Sequence, residues 1–127
     1  MSEGSAKEAL DQAREHAQAF NKKLQSFAAE DLEQTRVDMA NAQAEAQKIA
    51  NNIKTLAEHQ HAETKIHLKE AQTAFEETAK RAKDSADARG ADLKAKVREA
   101  QDRAKAGVEH LTAAVRAQGA AHANPPK

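Results

Sequence analysis

His59, His61 and His67, with Glu63 four residues before His67, are the residues whose types and spacing come nearest to a metal site in this chain. Side chains at i and i+4 share one face of a helix, and imidazole with carboxylate is a donor set that suits zinc. Two features work against that chemistry. His59 and His61, two residues apart, point in different directions on a helix, and no cysteine or dense carboxylate cluster assists them. These residues read as a polar stretch of helix surface, and no metal ion is expected. Catalysis has still less to build on. The chain has no glycine-rich phosphate loop, no Gly-x-Ser-x-Gly elbow and no nucleophile beside an obvious base. Its many carboxylates read as a solvated face, and an alanine-striped helical chain offers no evident pocket to desolvate a base. The expectation is a non-enzymatic protein with no catalytic residue and no cofactor.

Whatever the chain does must therefore come from its elements. It has 127 residues, the length of one ordinary domain. Alanine accounts for 31 residues, and apart from Met1 only 18 large apolar side chains remain, Phe20, Phe27 and Phe75 among them. Burying a Leu or Phe contributes about 1.5–3 kcal/mol and an Ala far less, so a compact monomer would be marginal. Twenty basic residues balance twenty acidic ones, which removes the basic footprint of a nucleic-acid-binding protein. Residues 1–58 carry a net −3 and residues 59–127 a net +3, so an antiparallel association of the halves is mildly favoured. The absence of cysteine excludes disulfides and thiolate chemistry and fits a cytoplasmic protein. The first residues lack a signal-like apolar run, and no stretch approaches the roughly 18 apolar residues of a spanning helix.

Between Ser5 and Gln118 there is no proline, and Gly90 and Gly107 are the only glycines, in a background of Ala, Glu, Gln, Lys and Arg. Such a composition predicts helix throughout. Ser5-Ala6-Lys7-Glu8 fits a capping box at the start. Gly119, Asn124, Pro125 and Pro126 fit a stop, leaving residues 1–118 as one helical unit and 119–127 as a disordered tail. Leu10, Ala13, Ala17, Phe20, Leu24 and Phe27 form one heptad-like seam, and Met39, Ala42, Ala46, Ile49, Ile53 and Leu56 form another. Met39 stands about 120° from Phe27 around a straight helix, so a break is expected near 28–38, with Asp31-Leu32-Glu33-Gln34 available to restart the helix. A second phase change falls near 59–64. From Leu68 the stripe runs through Phe75, Ala82, Gly90, Leu93, Val97, Ala104, Val108, Leu111 and Val115 at close to 3.6 residues per turn. Gly90 is in phase with it, so both a hinge there and an unbroken helix remain open. Glu76 with Lys80, Glu77 with Arg81, Asp92 with Lys96 and Glu99 with Arg103 are spaced to pair along one helix.

The expected architecture is all-α: two to four long amphipathic helices as hairpins, a coiled coil or a loose elongated bundle, oligomerising through the Ala/Leu stripe. Such a stripe can pack helices closely or lie on an apolar surface with charges outward. The candidate interaction face is Phe20, Leu24, Phe27, Ile49, Ile53, Leu56, Phe75, Leu93, Val97, Val108 and Leu111. Asp in place of Ile53 and Leu56 is expected to abolish surface binding with solubility intact. The lack of tryptophan and the balanced charge disfavour insertion into anionic phospholipid.

The stretches Asp38-Met39-Ala40-Asn41-Ala42-Gln43-Ala44, Asn52-Ile53-Lys54-Thr55-Leu56-Ala57-Glu58 and Leu68-Lys69-Glu70-Ala71-Gln72-Thr73-Ala74-Phe75 give the chain its style. In these it resembles phasins, the small helical proteins that coat polyhydroxyalkanoate granules. The resemblance implies granule-surface coating, self-association as a homo-oligomer and a cytoplasmic location, with a hydrophobic polymer granule or a lipid surface as partner. Ala79-Lys80-Arg81-Ala82-Lys83-Asp84-Ser85-Ala86-Asp87 and Lys94-Ala95-Lys96-Val97-Arg98-Glu99-Ala100 are similar to the repeats of late-embryogenesis-abundant stress protectants. Apolipoprotein-type lipid carriers share the composition. A coiled-coil scaffold or adaptor is the remaining alternative.

Overall fold

A computed structural model describes residues 3–26 and 32–123. Four helices follow in order: α1 (Glu3–Gln25), α2 (Leu32–Ala57), α3 (Ala62–Asp87) and α4 (Gly90–Ala123), and the described residues contain no strand. Charge placement supports the helices locally. Lys22 and Lys23 lie in the last turn of α1, and Glu33, Glu63 and Asp92 lie in the first turns of α2, α3 and α4, each sign complementing the helix dipole.

Helix boundaries fall near both expected breaks, α1 ending at Gln25 before α2 starts at Leu32 and α2 ending at Ala57 before α3 starts at Ala62, and at Gly90 the chain breaks rather than running on as one helix. α2 restarts at Leu32, inside the segment singled out for it, while Phe27 and Asp31 lie outside the described residues. At the end of α2 the chain tightens through Glu58 N to Thr55 O, His59 N to Leu56 O and Gln60 N to Ala57 O, spacings of three residues that use up the last free carbonyls. His61 is extended, and α3 begins behind it without a side-chain cap. The third break falls at Ala88, which is extended and donates its N–H to Ser85 O, followed by Gly90 at φ +58°. A side chain at that φ costs about 1–2 kcal/mol, so glycine is what makes this corner cheap.

Two terminal expectations need correction. Ser5 lies inside α1, which already begins at Glu3, so it does not mark the entry. Gly119 does not end α4, which continues to Ala123. A glycine costs a helix interior about 1 kcal/mol and stops it only where the chain turns left-handed, and the flanking alanines are the best helix formers.

Chain neighbours pack antiparallel. From Glu70–His110 through Glu77–Arg103 to Arg81–Glu99, residue numbers rise along α3 as they fall along α4. α3 lies between α2 and α4, α1 lies between α4 and α2 on the other side, and α1 makes no close backbone approach to α3. The result is an up-down-up-down four-helix bundle. The core runs along its axis and joins both heptad-like seams to the stripe of α3 and α4. More than half of the buried apolar residues are alanines, which lets helix axes come close. The tightest approach is Gly107 of α4 against the Phe75 ring of α3, where a Cβ would sit 2.6 Å from Cε2.

Candidate functional site

Ten of the eleven residues of the candidate face meet inside the bundle. Phe20, Leu24, Ile49, Ile53, Phe75, Leu93, Val97 and Leu111 are buried, Leu56 and Val108 are partly buried against the same core, and Phe27 lies outside the described residues. Phe20 of α1 meets Phe75 of α3 across the axis, ring centroids 6.3 Å apart and tilted by 58°. That geometry is among the arrangements aromatic pairs favour. One consequence overturns an expectation. Ile53 is 0% exposed, so an aspartate there would place a charge in the core, and the Ile53→Asp, Leu56→Asp pair would unfold the protein rather than leave its solubility intact.

Polar groups interrupt the seam where hydrophobicity alone gives no sign of them. Thr78 and Ser85 are fully buried, and each hydroxyl donates to the carbonyl four residues back, Thr78 Oγ1 to Ala74 O at 2.8 Å and Ser85 Oγ to Arg81 O at 2.9 Å. Helix geometry satisfies them locally, so they occupy core positions without a partner from another helix.

Polar contacts join neighbouring helices. Gln25 Nε2 donates to Gln101 O at 3.0 Å while Gln101 Nε2 donates to Leu24 O at 2.8 Å, a reciprocal clamp between the end of α1 and α4. Arg36 Nε donates to Ala86 O at 2.9 Å, joining the start of α2 to the end of α3. Gln118 Nε2 donates to Gln60 Oε1 at 3.3 Å, joining α4 to the α2–α3 turn. Glu77 and Arg81, spaced to pair with each other along α3, reach across to α4 instead: Arg103 Nε lies 3.3 Å from Glu77 and Arg81 Nη1 3.8 Å from Glu99. His110 Nδ1 lies 2.9 Å from Glu70, and His16 Nε2 of α1 lies 3.2 Å from Glu45 of α2. An ionised carboxylate only accepts, so the imidazole nitrogen is the donor in both.

His59 and His61 are exposed at the α2–α3 turn, and His67 is partly buried on α3 with no hydrogen-bond partner for Nδ1. Among the described residues no three His, Asp or Glu side chains converge so as to hold a metal ion.

Shallow clefts flank α1 along its seam with α2. One is lined by Phe20, Lys23, Leu24, Asp38, Asn41 and Glu45, the other by Ala9, Gln12, His16, Asn52 and Leu56. A third lies over α3 and α4 among Lys69, Glu70, Glu77, Arg103 and His110, residues already engaged in the cross-helix pairs. No described helix is long and apolar enough to cross a membrane. Among the described residues, the large apolar side chains standing exposed are Val37 and Ile66, near the starts of two antiparallel helices and so at opposite ends of the pair. Fold and seam define the class, an all-helical bundle whose apolar residues face one another. Comparison with protein-family models, with curated proteins and with solved structures finds no match to this chain.

Proposed function

We propose that this chain is a non-enzymatic structural protein that self-associates and coats an apolar surface in the cytoplasm, in the manner of the phasin-like proteins it resembles. One observation carries the reading. The large apolar side chains of four amphipathic helices gather almost entirely on one continuous seam, and the opposite faces are crowded with balanced charge. Helices divided in this way can exchange one another for an apolar phase while their polar faces stay in water. The balanced charge supports an uncharged surface, a polymer granule or neutral lipid, over an anionic membrane.

A second reading has an observation of its own. The seam closes within a single chain, which favours a scaffold or adaptor whose working surface is the polar exterior. Far-UV circular dichroism across a concentration series, with and without uncharged apolar particles, separates the two. The coating reading expects a helical protein that leaves solution for the particles in a saturable manner. The scaffold reading expects the same helicity with no adsorption. Low helicity in dilute buffer that rises on drying would belong instead to a stress protectant.

A further inference from the structure

We infer that α1 is a detachable arm, and that the surface presented to an uncharged apolar phase is the inner face of α1 together with the trough it uncovers on α2 and α4. The inference deepens the coating function and rests on it. In the closed bundle the candidate face is occupied by itself, and Val37 and Ile66 stand too far apart to make a patch. A surface reaches the seam only through an opening, and the bundle is not equally closed on all sides.

Three observations single out α1. First, it approaches its neighbours' backbones far less closely than α2, α3 and α4 approach one another in chain order. The sequence supplies a reason: α1 buries the bulky Leu10, Phe20 and Leu24, whereas α3 and α4 bury the small Ala71, Ala79, Ala82, Ala100 and Ala104 and set Gly107 directly against the Phe75 ring. Second, clefts lie at both ends of the α1–α2 seam, and His16–Glu45 is a side-chain bridge between them. Third, α1 is the most strongly amphipathic of the four helices, and its Lys7, Arg14, Lys22 and Lys23 balance its Glu3, Glu8, Asp11 and Glu15. A neutral, two-faced helix suits an uncharged surface.

The geometry also sets the direction of opening. The Gln25–Gln101 clamp pins the C-terminal end of α1 to α4, so the N-terminal end swings out. That motion bares Leu10, Ala13 and Ala17 first and breaks the Phe20–Phe75 contact last. Segments with few close contacts open below the free energy of global unfolding, which makes such an arm accessible without melting the rest.

The test uses the absence of native cysteine. A His16→Cys, Glu45→Cys variant joined by a short bis-maleimide bridge ties α1 to α2. A Glu77→Cys, Arg103→Cys variant treated alike ties α3 to α4. Adsorption to uncharged polyester particles is expected to fall about tenfold or more in the first bridged protein and to stay unchanged in the second, because a ligand that binds only the open state loses affinity in proportion to its population. Equal adsorption of the α1–α2-bridged and unbridged proteins would overturn the inference. Hydrogen exchange of the free wild-type chain provides a readout that needs no particles. The α1 amides are expected to exchange ahead of those of α2, α3 and α4, and exchange of all four helices together would overturn the arm while leaving the coating function standing. Early exchange of α1 in a chain that never adsorbs to the particles would instead remove the coating function and with it the surface assigned to the arm.

Discussion

Phe75 is the residue on which the packing turns, and Gly107 is its counterpart. The ring is fully buried, touches Phe20 on one side and lies so near the Gly107 backbone that any Cβ there must displace it. Two effects compete in a Gly107→Ala substitution. Helix propensity favours alanine by about 1 kcal/mol, while overpacking a closed core costs about 1–3 kcal/mol. Because the obstructing atoms belong to a confined ring and not to the end of a flexible chain, overpacking wins. Urea denaturation is expected to show Gly107→Ala destabilised by about 1 kcal/mol. Phe75→Leu in the same chain should remove most of that penalty through a coupling of about 1 kcal/mol or more between the two sites, and strict additivity would contradict the contact. Phe75 was legible in the sequence as a core residue from its place on the stripe. Gly107 was not, because a glycine in a helical run looks the same whether it faces solvent or a ring. Thr78 and Ser85 were hidden for a related reason: their hydroxyls are satisfied within their own helix, which a pattern of apolar spacings does not register.

At the scale of the elements, phase changes in the apolar seams fall near the boundaries between α1 and α2 and between α2 and α3. The third turn was ambiguous in principle. A straight α3–α4 helix and a hairpin bury the same stripe, and Gly90 stays in phase with both. What separates them is backbone conformation, extended at Ala88 and left-handed at Gly90. Nothing lies within 4 Å of a Cβ built on Gly90, so the effect of Gly90→Ala is purely conformational. It is expected to cost about 1–2 kcal/mol in a denaturant titration, and a neutral or stabilising result would place the corner elsewhere. The charged pairs show the same limit of local reading. Glu77 and Arg81 satisfy an i,i+4 rule, yet the antiparallel register sets Arg103 and Glu99 opposite them. These side chains are about half exposed, so a Glu77/Arg103 double-mutant cycle is expected to give a coupling of about 0–1 kcal/mol that fades at high salt. A larger, salt-resistant coupling would mean the seam is held by charge and not by packing.

For the molecule as a whole, the chain resolves its shortage of bulky apolar residues by closing all four helices on one axis and using alanine to bring them together. The all-α class follows from composition and periodicity alone. Closure within one chain does not, because the same seams could have met between chains. The candidate face is thus legible as a set of residues and illegible as a location: spacing identifies which side chains share a face, not whether that face meets a partner, a surface or its own chain. In the bundle it meets its own chain, so the proposed coating function makes the resting protein a closed form of the coat. The measurement that tests this most directly is adsorption of the purified, folded protein to uncharged polyester particles of known area, with circular dichroism recorded on the washed particles. The expected result is saturable binding with helicity kept and the near-ultraviolet signal of the phenylalanine core lost. Folded protein that remains in the supernatant at every particle area would contradict the coating function.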